Sequence, residues 1–143
     1  MTGNDFVALL LRTPLHVFMG NTMLINVTGR KTGRTYSTPV GFFREGGWLW
    51  ILTSRNRSWW RNVRHGAPVS LLLHGKVMTA YAEAELNEQA VEARLRDYIY
   101  HLPMSARSLG IRQVDKKPLS KDIVRVAKEK LFVKISLPGN MPG

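Results

Sequence analysis

The chain has 143 residues, enough for one hydrophobic core and too few for two independent ones, and its 44% apolar content is ordinary for a globular protein. It has no cysteine, which excludes disulfide scaffolds, thiolate metal sites, iron–sulfur clusters and cysteine nucleophiles. The formal net charge of +11 is uneven: residues 1–80 hold ten Lys/Arg against two Asp/Glu, and residues 81–143 hold eleven against eight, so the excess cation sits in the first part of the chain.

Residues 1–20 predict a helical segment. Asn4 or Asp5 can cap it, Phe6, Leu9 and Leu10 share a face, and Pro14 ends or kinks it before a second short turn through Leu15 to Met19. The apolar run from Phe6 to Leu11 lacks the basic flank and cleavage site of an export signal, and no stretch approaches the roughly 20 apolar residues of a spanning helix. A lid or core-packing helix is the commoner role for such a pattern; a peripheral membrane contact is the alternative.

From residue 22 the period changes to two. Met23, Ile25 and Val27 alternate with Leu24, Asn26 and Thr28, predicting a strand. Gly29-Arg30-Lys31-Thr32-Gly33 follows, two glycines around two cations and a hydroxyl. Such a turn suits an anion such as phosphate or carboxylate, and equally a charged hairpin tip kept soluble by its cations. Residues 35–44 predict a second strand, with Thr38, Val40 and Phe42 on one face. Pro39 marks it as an edge or bulge, and Gly41 marks a close approach by a ligand or a neighbouring strand. Glu45-Gly46-Gly47 makes a turn, and Trp48, Trp50 and Leu52 alternate along a third strand that ends at Ser54-Arg55.

Trp59 to His65 predict a short helix, and Val69–His74 and Val77–Ala82 predict a hairpin closed at His74-Gly75-Lys76. Asn87 begins a helix with one apolar stripe, Val91, Leu95, Tyr98, Ile99 and Leu102, stopped by Pro103. Met104–Gly110 reads as a turn or short helix, Asp115–Pro118 as a polar loop, and Ser120 as the cap of a helix running to about Lys130. A last strand through Leu131, Val133 and Ile135 and a loose tail from Pro138 complete the chain.

Four words in this order carry a resemblance: TGRKTGR (Thr28–Arg34), the Thr38-Pro39 step, Ser54-Arg55, and WWRNVRHGAPVSL (Trp59–Leu71). In these the chain resembles the deazaflavin-dependent nitroreductases, also known as the nitroreductase/quinone reductase family. The resemblance covers about Leu10 to Leu86, with a weaker tail. It implies a mainly β, α+β fold: one split β-barrel domain over 1–143, with about six antiparallel strands, an N-terminal helix over 1–20 and peripheral helices. The barrel strands and cofactor groove would occupy 22–85, the helices 87–130 and the last strand 131–137. The implied coenzyme is F-420, with FMN as the alternative. Arg30, Lys31 and Thr32 would hold its phosphate, the backbone of Pro39, Val40 and Gly41 would pass along its ring, Ser54 and Arg55 would meet the ring or phosphate side, and Trp59 and Asn62 would close the groove. No catalytic residue transfers with the resemblance.

The implied activity is that of a cytoplasmic oxidoreductase, free or peripheral at the inner face of the membrane. It would pass hydride from reduced F-420 to a small apolar electrophile: a quinone, an enone or a nitro compound. A non-catalytic flavin, deazaflavin or haem carrier of the same fold is the alternative, and a homodimer is compatible with either. A basic nucleic-acid-binding module is the remote third reading, since arginines interleaved with Trp59 and Trp60 suit phosphates and bases, but no recognised motif supports it. His16, His65, His74 and His101 have no metal-ligand spacing; His65 and His101 are the two that suit a proton donor near a ring, beside the commoner role of a surface or capping histidine.

Overall fold

The structure, a computed structural model, describes residues 22–29, 31–45, 47–73 and 75–137. The helix expected over 1–20, the tail expected from Pro138, and Arg30, Gly46 and His74 lie outside the described residues. In chain order the elements are β1 (Thr22–Thr28), β2 (Thr35–Gly41), β3 (Phe43–Glu45), β4 (Trp48–Ser54), a 3-10 helix (Trp59–Val63), β5 (Ala67–Leu73), β6 (Lys76–Glu85), α1 (Glu88–His101), α2 (Ser105–Ser108), β7 (Gln113–Val114), β8 (Lys117–Pro118), α3 (Ser120–Glu129) and β9 (Lys130–Ser136). The described chain is mostly β. A seven-stranded sheet has the order β2-β1-β5-β6-β9-β4-β3, one strand more than the six expected, and β7 pairs with β8 apart from it. Internal contacts divide the chain into two compact units.

The first unit comprises residues up to Leu52, Ser58–Ala84 and Val133 onward. Its antiparallel register places Asn26 opposite both Ser37 on β2 and Ser70 on β5, and Ile25 opposite Thr38 and Leu71. Met23, Ile25, Val27, Leu71, Ala80 and Ala82 are buried to 2% exposure or less; on the other face of β1, Asn26 and Thr28 are more exposed while Leu24 is also buried at 7%. β2 stands at one end of the sheet order, which is where Pro39, having no N–H to give, does least harm. The single strand expected over 35–44 is two strands, interrupted at the buried Phe42. β2 pairs with β1 and β3 pairs with β4, at opposite ends of the sheet order, so the chain changes partner strand at Phe42.

The second unit comprises Thr53–Arg57 and Glu85–Phe132. Asn87 caps α1 by accepting from the Ala90 N–H at 3.0 Å, and Val91, Leu95, Tyr98 and Ile99 form its buried stripe. Tyr98 packs edge-on to Phe132, and burial pushes its phenol up to about 12. Two expectations change here. The polar loop at Asp115–Pro118 is a small hairpin, β7–β8, turning on Asp115 and Lys116. Ser120 is the first residue of α3 instead of its cap; the cap position is Leu119, and the Ser120 hydroxyl accepts from Arg96 at 3.2 Å. What holds this end of α3 is Asp122. Buried to 2% exposure, it accepts from the Arg112 backbone N–H and Nε at 2.9 Å each and from Nη2 at 3.0 Å, with Arg125 at 3.6 Å. The Arg112 guanidinium holds this carboxyl well below the usual carboxylate range, with its backbone N–H and then Arg125 adding to the effect.

Candidate functional site

A groove of about 1080 Å³ lies within the first unit, between the β1–β2 hairpin end and the 3-10 helix. It exceeds the roughly 300–1,000 Å³ of common ligand sites, so a coenzyme-sized molecule fits. Gly29, Lys31, Thr32, Thr35, Tyr36, Ser37 and Thr38 line one wall. Ser58, Trp59, Arg61, Asn62 and Arg64 line the other.

The hairpin wall is built by its turn. The Gly29 N–H donates to the Arg34 carbonyl at 2.7 Å and the Gly33 N–H to the Gly29 carbonyl at 2.9 Å, with Gly33 at φ +72°, a conformation other residues resist. A Cβ on Gly29 would stand 2.7 Å from the Tyr36 ring, so glycine is what lets that ring lie across the turn. The Tyr36 hydroxyl meets the Thr32 hydroxyl at 3.2 Å, which also accepts from the Arg34 N–H at 3.2 Å. Ser37 donates to the Asn26 side-chain oxygen in the cross-strand pair. Four consecutive residues, Thr35 to Thr38, line the groove although side chains alternate along a strand. The groove therefore follows the edge of β2, where the sheet supplies no further strand to the backbone.

The second wall follows from the period of its helix. At three residues per turn, side chains at i and i+3 eclipse. Trp60 and Val63 make one row, buried to 5% and 1% exposure. Trp59 and Asn62 make the second, with the Asn62 amide donating to the Trp59 carbonyl at 3.2 Å. Ser58, Arg61 and Arg64 make the third, along the groove, and the Arg61 guanidinium stacks 5.7 Å from the Trp60 ring centre. Among the described residues the lining thus holds three cations, Lys31, Arg61 and Arg64, with no Asp, Glu or His. An anion with a flat apolar part suits these walls.

Of the residues expected at a coenzyme, Lys31, Thr32, Trp59 and Asn62 come together in this lining. Arg30 lies outside the described residues. Pro39, Val40 and Gly41 continue β2 beyond the lining, with Val40 buried at 6% exposure. Ser54 and Arg55 belong to the second unit. There Arg55 Nε donates to the carbonyls of Ala127 and Lys130 at 3.2 and 3.0 Å, and Nη2 to those of Leu86 and Ala127 at 3.0 and 2.9 Å. Its backbone N–H donates to Glu129, and Lys130 Nζ donates to the Ser54 hydroxyl at 2.9 Å. Arg55 therefore serves the carbonyl end of α3, which has no intrahelical partners of its own. Arg61 and Arg64 were not among the coenzyme contacts expected from sequence; the three-residue spacing Ser58, Arg61, Arg64 is the signal that marks them. His65 is exposed and absent from the lining, and the exposed His101 ring stands edge-on to Tyr100. Among the described residues no cluster of His, Cys, Asp or Glu is placed to hold a metal ion.

The family model described as F420H(2)-dependent quinone reductase matches residues 12–107, two thirds of the chain and both groove walls. The chain belongs to that family. No curated protein sequence matches it significantly. Among solved structures, a pyridoxamine 5′-phosphate oxidase candidate from Listeria innocua is similar with a TM-score of 0.53 at 11% identity, covering 94% of this chain and 92% of its own. The general stress FMN/FAD binding protein of Xanthomonas citri is similar with a TM-score of 0.51 at 13% identity, covering 86% and 82%. The flavocytochrome Anf3 of Azotobacter vinelandii is similar with a TM-score of 0.50 at 17% identity, covering 88% and 63%. At these identities the likeness is one of fold. The quinone reductase family is named for reduced F-420 as its reductant, and the cationic groove lies inside the matched range.

Proposed function

We propose that this chain is an F-420-dependent reductase of a small apolar electrophile, a quinone, enone or nitro compound, built on a split β-barrel. The observation that carries this reading is the groove lining: among the described residues, three cations and no acid beside Trp59 and a row of hydroxyls. Lys31 and Thr32, with Arg30, hold the coenzyme phosphate. Arg61 and Arg64 add positive field along the opposite wall, which favours a coenzyme with further carboxylates over FMN with its single phosphate. Trp59 and Asn62 close the groove over the ring, and the edge of β2 towards Pro39, Val40 and Gly41 offers backbone groups to the ring's polar margin. When bound, the reduced coenzyme supplies a hydride, and the quinone that takes it with a proton leaves as the hydroquinone. The chain's own part is to orient and to exclude water.

In this reading the partner is a small molecule and nucleic acid is not a specific ligand. In this reading the protein works in the cytoplasm. A carrier that binds a flavin, deazaflavin or haem without turnover is the second reading, favoured by the lack of a carboxylate or imidazole among the described residues of the lining. Anaerobic mixing of the protein with reduced F-420 and a simple quinone separates the two. The reductase oxidises the coenzyme in proportion to protein, the carrier binds it without oxidation, and absence of both overturns the coenzyme assignment.

A further inference from the structure

Of the six large apolar side chains exposed among the described residues, three lie between positions 100 and 114: Tyr100 at 80%, Met104 at 86% and Val114 at 57%. They belong to one corner of the second unit. α1 buries Val91, Leu95, Tyr98 and Ile99, and Tyr100 projects from the other side of its last turn. Pro103 follows the end of the helix, exposed, and its carbonyl accepts from the Gln113 side chain at 3.2 Å. That bond seats the β7–β8 hairpin, with Val114, beside the loop that carries Met104.

The same corner is cationic. Residues 100–121 carry five Lys/Arg against one acid, Asp115. Arg112 is engaged with Asp122, while Arg107, Lys116 and Lys117 stand exposed. The hairpin turns on Asp115 at φ +53° and Lys116 at φ +65°, both left-handed, the pattern that favours Asn-Gly. A lysine thus occupies a position where glycine would be relaxed, and strain of that kind marks a side chain kept for its chemistry.

We propose that this corner docks the protein on an anionic lipid surface, with Tyr100, Met104 and Val114 entering the headgroup boundary and Arg107, Lys116 and Lys117 meeting acidic headgroups. Side chains this exposed have little packing around them, and a few standing beside cations suffice for an interfacial contact. A stable protein interface instead needs about 20–30 residues a side. The inference uses no groove residue and stands whether or not the coenzyme reading holds.

The test is co-sedimentation of the full chain with vesicles of phosphatidylcholine alone or mixed with phosphatidylglycerol. The protein partitions to the acidic vesicles. Each surface lysine contributes about fivefold, so Lys116→Ser with Lys117→Ser loses about 25-fold, and Tyr100→Ser with Met104→Ser also weakens partition. Lys116→Gly is the discriminating variant: it relaxes the turn, so Tm holds or rises, yet partition falls about fivefold. Three results overturn the proposal: no preference for acidic vesicles, variants that partition as the parent does, or equal binding to a soluble acidic polypeptide with the same sensitivity to these substitutions.

Discussion

Replacing Arg55 separates the two duties the residue has been given, anchoring α3 and touching a coenzyme. Its guanidinium bridges the carbonyls of Leu86, Ala127 and Lys130 from a half-buried position. A hydrogen bond from a charged donor is worth about 1.5–3 kcal/mol, and bonds from one group are not additive. Arg55→Ala leaves three acceptors without this donor, so the expected loss is about 3–4 kcal/mol of stability. For a domain of this size that corresponds to a fall in Tm of about 10 °C. Arg55→Lys keeps the charge without the planar fork and recovers only part of the loss. Thermal unfolding followed by circular dichroism measures this, with coenzyme titration of the same variants at a temperature where they remain folded. An unchanged Tm together with lost F-420 binding would refute the anchoring argument and leave Arg55 as a ligand contact alone.

Three further outcomes are expected. Arg30→Ala with Lys31→Ala weakens F-420 binding by about 2–4 kcal/mol, read by equilibrium titration, and leaves Tm in place, because Lys31 is exposed at the hairpin end. In single-tryptophan variants the fluorescence of Trp59 responds to F-420, while Trp48 and Trp50, which stand 3.8 and 5.9 Å from Lys134 Nζ, respond less; a silent Trp59 contradicts the placement. Because the Asp122 carboxyl is held below its ordinary range, its contribution is fully present above the unfolded value of about 4 and is lost as pH falls below it. Urea unfolding should therefore show a gap between the parent and Asp122→Asn that is widest near neutrality and narrows in acid; a gap independent of pH would contradict the linkage.

The sequence made the strands with one buried face legible, because β1 and the β5–β6 hairpin repeat every second residue and the register turns that period into burial. α1 was legible from its stripe and its Asn87 cap. The break at Phe42 was not, since it reflects an exchange of partners between the two ends of the sheet order, and Thr35–Phe43 has an unbroken strand pattern. The β7–β8 hairpin was hidden because its left-handed pair is Asp115-Lys116, where no glycine announces the turn. The end of α3 depends on Asp122 reaching Arg112 ten positions away, which no local capping rule contains. In the groove, the words around Lys31 and Trp59 pointed to the two walls. Arg61 and Arg64 needed the 3-10 geometry, because an α-helical period distributes those side chains differently.

The central claim is that the cationic groove holds the coenzyme, and the most direct measurement is an F-420 titration of the parent beside the triple variant Lys31→Glu, Arg61→Glu, Arg64→Glu. All three residues are exposed, so folding is unaffected. At about 1 kcal/mol for each cation, the account predicts saturable binding by the parent and a loss of about hundredfold or more in the variant. Equal affinity in the two proteins at low salt, with both folded, would contradict it.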